Sequence, residues 1–179
     1  MKDYQKVLLY AYPKLGRIAE DIGQIVRAKA CASVMGRETA LACAEKLIGY
    51  NFLREQLLFL KDELDGLLAN LTREEQFLLE YKYFRRKKEL AAFADVRLSC
   101  SERTYFRRQQ RLARTIHAEL LRRGLSEEWF FEAFSGVSFF MSALESVRGG
   151  EGRMVDKRTC AGIPCGGRPR GEENQSSCS

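Results

Sequence analysis

Residues 50–71 place apolar side chains at Tyr50, Leu53, Leu57, Leu60, Leu64, Leu67 and Leu71, in alternating steps of three and four over three heptads. Only a helix brings such positions onto one face, because a strand turns its side chains over at every residue. Leu47, Ile48, Phe52, Leu58, Phe59 and Leu68 widen the stripe beyond a two-stranded seam. A matching series runs upstream through Leu8, Ala11, Leu15, Ile18, Ile22 and Ile25. Pro13 falls inside it and predicts a kink, or a first short helix ending near Tyr12. Residues 30–38 lose the pattern and contain Gly36, so they read as a connection. The economical solution is an antiparallel helical hairpin over residues 1–71. One flank of its second helix is then left to complete the core or to meet a second copy of the chain, and periodicity does not separate the two.

The rest of the 179 residues also favours helix. Of three prolines, two lie in the last sixteen residues, which leaves long stretches free to propagate. Thr72 with Glu75 three residues on forms a capping box, followed by Phe77, Leu78, Tyr81 and Phe84 on one face. After Arg85, Arg86, Lys87 and Lys88, a second short helix is expected over residues 88–95, with Leu90 and Phe93 inward, and a turn over 96–100. A longer helix then starts at Ser101, or at Ser99 with Glu102 closing a second box. Its buried stripe is Tyr105, Leu112, Ile116 and Leu120. Gly124 suits the residue just past its end, and Ser126 opens another helix bearing Trp129, Phe130, Ala133 and Phe134. That cluster is expected to pack back on the helix-turn-helix, with a last helix over 139–147. From residue 148 the chain turns to Gly, Pro, Ser and charge, the composition of a disordered tail.

The net charge of +6 is concentrated in one segment. Residues 72–123 hold fourteen Lys/Arg against seven Asp/Glu, a net of +7, whereas residues 1–71 net +1 and residues 124–179 net −2. A confined basic patch is the electrostatic footprint of a nucleic-acid partner. It centres on the helix from Ser101, whose outer side carries Arg103, Phe106, Arg107 and Gln110, with Arg108, Arg111 and Arg114 at its flanks. Arg forks onto guanine, Gln pairs with adenine, and either holds phosphate. A solvated face on an ordinary bundle helix has the same appearance in sequence.

Other classes are disfavoured. His117 is the single histidine and sits beside the buried stripe, and no phosphate-cradling glycine loop or metalloprotease motif occurs, so an enzyme is not expected. No apolar run approaches a membrane span, and the first residues lack a signal-peptide core, which predicts a cytoplasmic protein with free thiols at its six cysteines. Cys160 and Cys165 have no second Cys/His pair to complete a zinc site, so no metal or other cofactor is expected.

Residues 71–121, above all SERTYFRRQQRL, resemble region 4 of bacterial sigma factors. The resemblance is nearest to phage and mobile-element transcriptional regulators of the ArpU/RinA type from Firmicutes. In that motif a Ser caps the recognition helix and a Thr-apolar pair follows; here these are Ser101, Thr104 and Tyr105. The segment between Ala91 and Ser101 is a few residues longer than the usual tight turn, and the N-terminal hairpin does not match the promoter-melting parts of a sigma factor. The whole chain is expected to be all-α: a hairpin (1–71), a helix-turn-helix unit with an aromatic cap (72–147) and a disordered tail (148–179). The resemblance implies binding of double-stranded DNA to regulate transcription. Glu102, Arg103, Phe106, Arg107 and Gln110 would read bases. Arg85, Arg86, Lys87, Lys88, Arg108, Arg111 and Arg114 would hold phosphates. RNA polymerase and a second copy are further expected partners; the alternative is an adaptor gripping polymerase or another regulator through the Leu-rich hairpin.

Overall fold

The computed structural model describes residues 1–32, 39–94, 96 and 101–150, without the side chains of residues 32, 87, 88 and 150. Residues 33–38 of the expected connection through Gly36, residues 97–100 of the expected turn, the alternative cap Ser99, Cys100 and the tail cysteines lie outside these residues. The described chain is all-α. Helix α1 (Asp3–Ala32) and helix α2 (Ala40–Ala69) form the hairpin. Helix α3 (Arg73–Leu79) runs directly into a π-helical turn (Glu80–Phe84), followed by α4 (Lys87–Ala91), α5 (Glu102–Arg122), α6 (Glu127–Phe134) and α7 (Ser138–Gly150). No described helix is long and apolar enough to cross a membrane.

Caps fix most helix starts. Thr39, Thr72, Ser101 and Ser126 each accept a hydrogen bond from a first-turn backbone N–H. At Thr72 the box is reciprocal: Glu75 N–H donates to Thr72 Oγ1 at 3.4 Å, and Thr72 N–H donates to Glu75 Oε2 at 3.0 Å. Thr72→Ala is expected to lower the unfolding free energy by roughly 1 kcal/mol, read from urea denaturation. At the end of α5, Gly124 takes φ +77°, and Leu125 N–H returns to the Leu120 carbonyl at 2.9 Å.

Helix α1 is the spine. It runs unbroken through Pro13, so the helix expected to end near Tyr12 continues. Proline removes one backbone hydrogen bond there, while Leu8, Leu9 and Leu15 around it are fully buried and hold the segment in place. Tyr4, Val7, Leu8, Leu9, Ala11, Leu15 and Ala19 are all at most 2 % exposed, so the first half of α1 is covered nearly all round. Helix α2 packs along it through Leu57, Leu60, Leu64 and Leu67, and the π turn and α7 close other sides. Toward the hairpin tip, among the described residues, only the two helices cover each other, which leaves Ile25 of the expected seam 43 % exposed.

Two other expectations are corrected. The aromatic cluster packs on the hairpin, where Phe130 meets Tyr4 (ring centroids 5.8 Å), Trp129 meets Phe59 (6.0 Å) and α7 lies along α1. Residues 148–150, expected in the tail, belong to α7, which continues to Gly150; the rest of the expected tail lies outside the described residues. One cluster of buried apolar side chains extends from Tyr4 through Leu78, Leu112 and Phe130 to Leu144.

Candidate nucleic-acid interface

Helix α5 is fixed by its back. Tyr105, Leu112, Ile116 and Leu120 are buried as the period predicts, with Leu112, Ala113 and Ile116 facing Leu78, Leu79 and Tyr83 of α3 and the π turn. Polar ties set its position. Lys82 Nζ donates to Gln109 Oε1 at 3.0 Å, and Gln109 Nε2 donates to Tyr105 Oη at 2.5 Å. Burial, helped by nearby Lys6, holds the Lys82 ammonium below its usual range. Burial also pushes the Tyr83 phenol beside it up to about 12. At the far end Arg123 pairs with Glu63 of α2 at 2.7 Å, and His117 Nδ1 lies 3.0 Å from Gln5 Oε1 of α1.

The front of α5 is open. At 3.6 residues per turn Arg103, Arg107, Gln110 and Arg114 follow one line of about 16 Å opposite the buried stripe, and all four are exposed. Phe106 (49 % exposed) and Arg111 sit on either side of that line. Among the described residues no carboxylate comes within ion-pair distance of Arg103, Arg107, Arg111 or Arg114. Glu102, in the first turn, is exposed as well. Arg114 therefore belongs to the front rather than the flank.

The remaining basic residues divide. Arg108 leans back and pairs with Glu74 at 2.6 Å; both are exposed, and such a surface pair is worth little and exchanges readily for a phosphate. Arg85 is exposed and takes a left-handed backbone conformation, φ 53°, where the π turn ends. The Lys87 and Lys88 side chains lie outside the described residues. Arg86 has another occupation. Its Nε and Nη2 donate to Glu80, at 2.9 Å to Oε1 and 2.6 Å to Oε2, and its backbone N–H donates to Oε1 at 3.0 Å. The Glu80 side chain is only 4 % exposed, and the guanidinium lies over the rings of Tyr12 and Phe84. The sequence reading gave Arg86 to phosphate; the structure uses it to neutralise a buried carboxylate. That hydrogen bond holds Arg86 still more firmly in its charged form.

The sequence reading missed Lys82, Gln109 and Arg123 as the side chains that seat α5. Their partners lie 27, 4 and 60 residues away, and only the middle spacing leaves a trace in sequence. What the geometry defines is an all-α protein presenting one anchored helix with an arginine-rich open face. Comparison with protein-family models, curated proteins and solved structures finds no match for the chain.

Proposed function

We propose that the protein binds double-stranded DNA through the open face of α5 and regulates transcription in the cytoplasm, without catalytic activity. One observation carries this reading: four arginines with no carboxylate partner among the described residues, with Gln110 among them, on a helix whose back is locked into the core. Uncompensated arginines in a line cost self-repulsion unless an anion meets them, and a phosphate backbone supplies anions at that scale. The resemblance of residues 71–121 to sigma region 4 supports the same reading and suggests an ArpU/RinA-type regulator. Arg103, Arg107 and Gln110 reach base edges, with Glu102 and Phe106 at cytosine and thymine methyl. Arg85, Lys87, Lys88, Arg108, Arg111 and Arg114 hold phosphates and set register. RNA polymerase and a second copy of the chain are the further partners of this reading. An adaptor role, with polymerase or another regulator gripped by the hairpin, is the second reading, favoured by apolar side chains left open on α2.

Capture of genomic fragments by the purified chain, followed by sequencing, tests the proposal. A recurrent sequence motif is expected, and a pool no different from the input overturns it. Arg107→Ala is then expected to cost ~1–3 kcal/mol of binding and to relax preference at one base position. Arg111→Ala should instead weaken all sequences alike and reduce the salt slope by about one. Equal effects of both substitutions on specific and random DNA would refute these roles.

A further inference from the structure

Four large apolar side chains of α2 stand in water: Leu41 at 70 %, Ile48 at 68 %, Phe52 at 52 % and Phe59 at 42 % exposure. At 3.6 residues per turn they fall within about 20° of one line, well away from the side that buries Leu57, Leu60, Leu64 and Leu67. The helix thus has two apolar faces, and the fold covers one. The open stripe begins in the first turn of α2 and stops where other helices take over. Phe59 meets Trp129, Glu63 pairs with Arg123, and a side chain added at Gly66 would lie 3.0 Å from the Arg123 guanidinium.

We propose that this stripe pairs with the same stripe of a second copy, antiparallel, about a two-fold axis near residue 50. The order of residues singles out this occupant. Steps of seven, four and seven separate Leu41, Ile48, Phe52 and Phe59, so the stripe reads the same in both directions. An antiparallel two-fold pair then sets an apolar side chain against an apolar one at all four positions. In the antiparallel register Leu41 lies against Phe59 of the second copy, and Ile48 against Phe52. The first turn of each α2 then rests by the Phe59–Trp129 contact of the other copy, which closes both ends of the stripe. Aromatic side chains at the centre of such a patch are the residue type that dominates association energy.

This inference rests on the pairing of chains included in the reading above, and its test contains no DNA, so each can fail alone. Sedimentation of the full chain at micromolar concentration is expected to give a dimer. Ile48→Lys and Phe52→Glu, both exposed positions, should each weaken association at least ~30-fold while leaving the helical circular dichroism signal intact. An equal mixture of the two variants should recover the dimer, because only the antiparallel register sets position 48 of one copy against position 52 of the other. A wild-type monomer overturns the proposal and leaves the stripe to a different protein. Dimers that survive either single substitution place the interface elsewhere, and a mixture that stays monomeric rules out the antiparallel register.

Discussion

Arg86→Ala is expected to lower the unfolding free energy by about 3 kcal/mol, although the residue sits in the most basic run of the chain. The carboxylate of Glu80 is the reason. It is buried at the start of the π turn, and its hydrogen bonds come from Arg86, through both side chain and backbone. With the guanidinium gone, a charge taken out of water keeps one backbone donor and no counter-ion. Removing one partner of a buried pair typically costs ~3–5 kcal/mol. The lower end applies, because the Arg86 side chain is 38 % exposed and water can replace part of it. Glu80→Leu combined with Arg86→Leu should recover most of the loss, since no unpaired charge remains. Urea unfolding measures all three chains, and an Arg86→Ala chain within ~0.5 kcal/mol of wild type would return Arg86 to the phosphate-binding set.

Affinity for DNA is expected to fall at least ~10³-fold between 50 and 200 mM salt. With Arg86 engaged by Glu80, six of the residues assigned to phosphate remain: Arg85, Lys87, Lys88, Arg108, Arg111 and Arg114. Each phosphate neutralised releases condensed counter-ions, and six to ten such contacts give a loss of ~10³ to 10⁵ over that range. Fluorescence anisotropy on a captured fragment measures it. A nearly flat dependence on salt would remove the DNA reading and favour the adaptor. The two predictions are linked through one residue, because Arg86→Ala should leave the salt slope of the folded fraction unchanged.

The parts of this fold that were legible in sequence are those in which a helix buries one side. Tyr105, Leu112, Ile116 and Leu120 of α5, and Leu57, Leu60, Leu64 and Leu67 of α2, are buried where the period places them. The first half of α1 is surrounded, so Tyr4, Val7 and Leu9 are as buried as Leu8 and no single stripe could nominate them. Its second half loses neighbours, which is why Ile25 fits the seam in sequence and lies exposed in space. The open line on α5 follows from the helical period alone. Which of its arginines are already engaged does not, since Glu74 is 34 residues from Arg108. Glu80 and Arg86 are six apart, a spacing that an unbroken α-helix sets on different sides; the π turn and the left-handed Arg85 bring them together.

Placing the first helix at the centre has a consequence for how the chain is made. Tyr4 donates to the Leu125 carbonyl across 121 residues, Gln5 meets His117 across 112, and α7 lies along α1. Helix α1 leaves the ribosome before α5, α6 and α7, so it waits for those helices before its apolar surface is closed. Until then α1 and α2 have each other and little else, and Leu8, Leu9 and Leu15 keep part of their surface in water. Pairings across such sequence distances slow folding, and open apolar helices invite association with the wrong neighbours. A chain cut before residue 125 would keep its basic helix and lose the cover of α1, so the aromatic helices α6 and α7 act on α1 as much as on the helices beside them.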